Sequence, residues 1–555
     1  MFKNRFEDNI NTIKMDLERN YNLMHSKHIQ NFIFKRRNMA SSFFNKNNNN
    51  NENNIIQNEF NIDLINNNIS QVIYLFEKIH QNNKMPLNKN QINEIKKVLL
   101  SYLTEIRKEL SKENISIIQA KNIFDSNNTK IFSESLINPI NDTSDPFIQL
   151  ESIWIINNLM FLVAKFRDII SFEVFELSKL LIQYLINIYK NQKNDGVKYT
   201  LEEKILRIFG NLLYINNYIL TLLTNYEIIP FIVESLNSPI TSFRITCLWL
   251  INKILLTIKK TGNSNFVSFF TTKIAISNYR FILSRVQSQK SLDEICELFW
   301  IFNELVKYDS TILIPIFFTD INNKMNNVFI NLNKEYAIHK FQFILDNCLT
   351  NKMLQPCLRL ISNLLIICYK DIKDEDLLSK LIQNLFKREN IFRVINEFMN
   401  SPKNKFDNSL TEDILLLIFN LVSISPNNSR IYFKNGISSL INNKDYQSDK
   451  KSITLLLYIY YKIMKNNSFY FEASDEIVIK TCLYLIEAFK DDENILVILI
   501  DLFYFYLKAN NINIEESIEK ELNIMINTKE KIPINNLILV IIKLSNIIQM
   551  KFNSK

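Results

Sequence analysis

The sequence predicts an all-α chain built by repetition of a helical unit, and three observations carry that reading. Gly and Pro are scarce, four and ten among 555 residues. Apolar residues recur at helical spacing from about residue 61 to about residue 544, broken by Asn/Ser/Pro/Lys turns. An Asn returns at one register of that pattern, at Asn158, Asn211, Asn252, Asn363 and Asn420.

The glycine count excludes the most. Sandwiches, barrels and nucleotide-binding α/β folds need Gly at turns and phosphate loops. Here Gly stands only at 196, 210, 262 and 436, so neither GxGxxG nor GxxxxGK[ST] can be written. The recurring Asn supplies the period. Its separations run from 41 to 59 residues once Glu304 is counted at the same register. Helical solenoids of the armadillo and HEAT type repeat every ~40–47 residues, so these spacings imply repeats with inserted loops. Residues 226–239 and 390–402 read as two copies of a short helix ending in Asn-Ser-Pro. Such units bury their apolar faces by stacking, which leaves a long concave surface.

Charge and cysteine content exclude further classes. Lys and Arg number 65 against 57 Asp and Glu, and the net charge of +8 gives no argument for direct nucleic-acid binding. No CxxC occurs among the six Cys, and of four His only His25 and His28 are close together; no metal or other cofactor is expected. The scattered Cys read as buried thiols in a reducing compartment. Nothing after Met1 resembles a secretory signal. The apolar stretch 495–507 is interrupted by Asp501 and falls short of the ~20 residues of a membrane span, so the chain reads as soluble and intracellular. No Ser/His/Asp, Cys/His or paired-carboxylate arrangement stands out, and no enzyme activity is expected.

Four segments follow: residues 1–45, with Lys3, Arg5, Lys14, Arg19, Lys27 and Lys35-Arg36-Arg37; an Asn-rich linker at 46–60; the repeats at 61–510; and a helical cap or tail at 511–555.

The chemistry is concentrated on the helices that carry the Asn. Trp154 and Asn158 are four apart and share a face, with Glu151 one turn earlier. An exposed indole flanks the stem of a Lys or Arg, and a carboxamide pins an extended backbone. Further copies place Arg207 and Asn211, then Leu248, Trp249 and Asn252, Trp300 and Glu304, and Arg359 and Asn363 at this register; Leu455 and Ile459 end it. Glu203 and Glu297 precede the Trp position as Glu151 does, and Glu203 stands where it can neutralise Arg207.

The segments Gln149-Leu150-Glu151-Ser152-Ile153-Trp154-Ile155-Ile156-Asn157-Asn158 and Leu358-Arg359-Leu360-Ile361-Ser362-Asn363 resemble the Trp/Asn helices of the importin-α family. Phe2-Lys3-Asn4 and Lys35-Arg36-Arg37-Asn38 resemble the ends of that family's importin-β-binding segment. The resemblance implies an armadillo-repeat, right-handed superhelical solenoid that carries cargo with basic nuclear localisation signals, linked to importin-β and moving between cytoplasm and nucleus. Trp154, Asn158, Asn211, Trp249, Asn252 and Trp300 would form a major pocket, with Glu151, Glu203 and Glu297 nearby. Arg359, Asn363 and Asn420 would belong to a minor pocket, and Lys35, Arg36 and Arg37 would compete with cargo for the groove. The alternative is an armadillo or HEAT scaffold without signal binding.

Overall fold

Caps and apolar runs, rather than glycine turns, mark where the helices begin and end. The computed structural model describes residues 60–80, 88–112, 115–124, 136, 145–166, 181–187, 189–190, 198–285, 292–319, 333–347, 353–387, 408–425, 455–459, 493–509, 520, 539–544 and 546–547. Every regular element among the described residues is a helix. The basic segment 1–45, the second Asn-Ser-Pro turn at 400–402 and the Asn435-Gly436 turn lie outside them, as does most of the linker and the tail.

The described chain falls into two compact units, up to Tyr308 and from Asp309 onward. The first holds α1 (Ile62–His80), α2 (Lys89–Glu109), α3 (Ile117–Ile123), α4 (Pro146–Lys165), α5 (Lys198–Ile215), α6 (Tyr218–Asn225), α7 (Ile228–Glu234), α8 (Thr241–Thr261), α9 (Lys273–Ser284) and α10 (Leu292–Leu305). The second holds α11 (Ile314–Phe317), α12 (Lys334–Asn347), α13 (Leu354–Ile367), α14 (Glu375–Lys387), α15 (Asn408–Ile424) and α16 (Glu493–Ala509).

Local chemistry accounts for the ends. Asn88 with Gln91, and Ser116 with Gln119, form capping boxes at the starts of α2 and α3. Asp145 accepts from the Phe147 and Ile148 amides, with Pro146 opening α4. Gly262 closes α8 at φ 71°, where a side chain would be strained.

Within the first unit the long helices form one row: α2 packs on α4, α4 on α5, α5 on α8 and α8 on α10, while α7 packs on α9 in a second layer. The 3-10 turn Ser235–Asn237 follows α7 and leads into α8 through the predicted Asn-Ser-Pro segment. The second unit repeats the scheme, with α13 on α15 and α12 on α14. Stacking of like helices on like helices makes the fold an all-α solenoid.

Within this row α4, α8 and α10 are buried on nearly every face, because each has neighbours on several sides, whereas α2 is buried along one stripe. All residues from Ser152 to Val163 in α4, from Phe243 to Leu255 in α8 and from Glu294 to Leu305 in α10 are buried. This corrects the expectation that no apolar stretch reaches the length of a membrane span. By length and composition α4 and α8 are sufficient, although 78% and 83% of their apolar windows are buried inside the protein.

Candidate functional site: the inner-helix register

The register predicted from the sequence falls on the stacked helices α4, α5, α8 and α10 of the first unit and α13 and α15 of the second. Trp154 in α4 is 6% exposed. The Arg107 guanidinium, from α2, stands 4.4 Å from its ring centroid, and Lys204 Nζ, from α5, stands 3.9 Å away. Arg107 is also 2.6 Å from Glu151 Oε2. Burial pushes the Glu151 carboxyl above its usual range, opposed by Arg107 and Lys204. Two of the chain's own cations thus cover the indole that the resemblance assigns to a cargo lysine.

Asn158, one turn on, is 0% exposed. Its Nδ2 donates to Ser111 Oγ at 2.9 Å and to the Arg107 carbonyl at 3.4 Å, both on the preceding row helix or its end. Asn252 in α8 is likewise fully buried and donates to the Glu297 carbonyl at 3.1 Å and to Glu297 Oε2 at 2.8 Å, on the following row helix. Asn420 in α15 donates to Ser362 Oγ in α13. The expected solvent-facing Trp/Asn ladder is therefore corrected at Trp154, Asn158, Asn252 and Asn420. Their side chains are buried, and these carboxamides join one repeat to the next.

The remaining positions are mixed. Asn211 is buried in α5. Its neighbour Gly210 leaves room for the Trp249 ring: a Cβ there would come within 2.2 Å of Trp249 Cζ3. Trp249 is one residue out of register and is buried against α5, with Lys253 Nζ 6.0 Å from its ring centroid. Burial, helped by Lys260 and opposed by Glu297, pushes the Lys253 ammonium down to about 8. Trp300, Glu297 and Glu304 in α10 are buried, and Lys307 binds Glu304 at 2.7 Å. Arg207 pairs with Glu203 at 2.6 Å, the neutralisation expected from their spacing. Leu455 and Ile459 are fully buried apolar side chains. Glu151, Glu203, Arg359 and Asn363 keep partial exposure. Lys35, Arg36 and Arg37 lie outside the described residues.

Three ion pairs complete the register, and their acidic or basic halves were not singled out from the sequence. Arg107–Glu151 joins α2 to α4. Arg244–Glu294 joins α8 to α10, with Arg244 Nη2 3.0 Å from Glu294 Oε2. Arg359–Asp413 joins α13 to α15 at 2.6 Å. Arg244 also donates to the Ser238 carbonyl at 2.6 Å, tying α8 to the Asn-Ser-Pro turn. Gln355 gives Asp413 a second donor at 2.8 Å. The signal was present: these partners stand 44, 50 and 54 residues apart, about one repeat. Among the described residues no group of three or more His, Cys, Asp and Glu is placed to hold a metal ion.

No protein-family model matches this chain, and no curated protein does. Solved structures do. The chain is similar to an engineered protein at 9% identity and TM-score 0.49, over 86% of this chain and 99% of that one. A designed armadillo repeat protein in complex with the peptide (KR)4 is similar at 13% identity and TM-score 0.33, over 53% of this chain and 98% of its own. A second engineered protein follows at 9% identity and TM-score 0.29, over 57% of this chain and 96% of its own.

Proposed function

We propose that this chain is a protein-binding repeat scaffold in which the Trp/Asn register of the row helices fastens repeats together instead of gripping a basic peptide. One observation carries this reading: three row helices, α4, α8 and α10, are each buried for about three turns without a break. A groove for an extended peptide needs a stripe of every inner helix turned to solvent. At Trp154 that stripe is filled by Arg107 and Lys204, and at Asn158 and Asn252 the amide donors are already engaged.

The second reading is the nuclear import adaptor, with importin-β and basic signal-bearing cargo as partners and passage between cytoplasm and nucleus. What favours it is the chemistry at Trp154, whose indole accepts cations with Glu151 one turn earlier on the same helix, together with the sequence resemblance.

One assay separates the two. A fluorescein-labelled basic signal peptide titrated with the full chain gives no saturable anisotropy change on the scaffold reading. Saturable binding that Asn158→Ala and Asn252→Ala weaken would favour the adaptor. Capture of importin-β, lost on deletion of residues 1–45, would support it independently.

A further inference from the structure

Lys334 stands against a local rule. It opens α12, where the helix dipole disfavours a cation. Its Nζ lies instead 3.0 Å from Asp374 Oδ2 and 3.2 Å from Asp376 Oδ2, at the start of α14. Lys380 shares Asp376 at 3.0 Å. These acids sit on a corner that is itself built against local preference. The end of α13 runs into the π turn Cys368–Ile372, closed by the Lys373 amide donating to the Cys368 carbonyl at 2.9 Å. Lys373 then takes φ 57° without being a glycine. On the same corner Asp371 accepts from Ser310 Oγ at 2.7 Å, across 61 residues of sequence. A misplaced cation and two uncommon backbone features thus meet in one solvent-facing ionic network, with the Lys334 side chain 40% exposed and that of Asp376 57%.

The rest of α12 is lightly held. It packs on α13 and α14. Although α12 and α13 both have 14 residues, α12 buries only Ala337, Phe341, Ile344 and Leu345, a single stripe, where α13 buries ten. Beyond the ion pairs, its start is tied by the Asn333 amide donating to the Phe318 carbonyl at 3.0 Å. We propose that α12 is a strap, fastened to the α13–α14 corner by the Lys334 clasp and released, when those charges are screened, without unfolding of α13 and α15. Helices with little apolar burial and exposed fastenings open at a fraction of the global unfolding free energy. The polar clasp sets how often this one opens, because the apolar stripe alone is short.

The test is hydrogen–deuterium exchange of the full chain, read by mass spectrometry on peptides from α12, α13 and α15. Amides of α12 are expected to exchange ahead of those of α13 and α15. Lys334→Gln should speed α12 exchange about three- to tenfold at low salt, the range expected for two exposed ion pairs, and leave α13 and α15 unchanged. Asp376→Asn should act in the same direction, and Lys334→Arg, which keeps the charge, should match the wild type. In about 1 M NaCl, where the Debye length falls to ~3 Å, the Gln variant and the wild type should converge. Exchange of α12 only in step with α13 and α15 overturns the proposal. So does a Lys334→Gln effect that is absent, spread equally over the three helices, or undiminished by salt.

Discussion

Asn158 and Ser111 share a hydrogen bond of 2.9 Å across 47 residues of sequence, and Asn420 makes the same contact with Ser362 across 58. The match extends further. Seven residues before each Asn stands an acid, Glu151 or Asp413, that binds an Arg one turn before the Ser of the partner helix, Arg107 or Arg359. The same lock thus closes one junction in each unit. Replacing Asn158 by Ala removes a donor and leaves a small void, while Ser111 keeps its bond to the Arg107 carbonyl. A loss of about 1–3 kcal/mol is expected, read from the urea midpoint. Asn420→Ala should cost a similar amount, because Ser362 is buried.

Arg244 and Glu294 form the most enclosed of the three ion pairs, with side chains 5% and 4% exposed. Arg244→Met strands a buried carboxylate, and a loss of about 3–5 kcal/mol is expected. Adding Glu294→Leu should recover most of it, since an apolar pair avoids the desolvation of both charges. A double-mutant cycle on thermal or urea unfolding measures the coupling. Additive losses would contradict the pairing.

Gly210 exists for the sake of Trp249. Ala is the better helix former by about 1 kcal/mol, yet its Cβ would overlap the indole. Gly210→Ala is therefore expected to destabilise by about 1–3 kcal/mol, and Trp249→Leu in the same chain should relieve part of the strain. An Ala variant as stable as the wild type would refute the close packing of α5 and α8.

Lys253 makes stability depend on pH with a definite sign. Its ammonium is pushed down to about 8 in the folded chain, from 10.5. Between those values the unfolded chain holds a proton that the folded chain has released, so this group's contribution to stability rises with pH. Below about 8 both states are charged and the full burial penalty applies. Lys253→Met should thus be more stable than the wild type near neutrality, with the gap narrowing as pH rises from 8 toward 10. Tyr308, pushed up to about 12 by burial, acts in the opposite direction but equally in both chains, and cancels in the difference. A gap that does not vary with pH would contradict the buried ammonium.

Much of the architecture was legible from the sequence. Scarce Gly and a register position, Asn in five copies and Glu304 in one, returning every 41 to 59 residues announced a helical repeat, and the structure places cross-helix bonds at separations of 44 to 58. The clustering of Glu151, Trp154 and Asn158 on one helix was also readable from their spacing. Their burial was not. Helical periodicity reports an exposed face only when one face is polar, and Ser152 to Val163 is apolar apart from Ser152 and the Asn pair. Lys204 and Arg107 could not be placed over Trp154 from the sequence either. That contact depends on which repeat lies beside which, and on side chains from three different helices. The same limit hid Glu294 and Asp413, whose partners lie one repeat away.

The accessibility of Trp154 tests the central claim most directly. With Trp249→Phe and Trp300→Phe, Trp154 is left as the sole indole of the chain. Acrylamide quenching of its fluorescence then reports its burial in the full-length protein. Blue-shifted emission with a quenching constant far below that of a free tryptophan amide is the predicted result. Emission and quenching like those of the free amide would place the indole in an open groove, and would contradict the account of these helices as closed against one another.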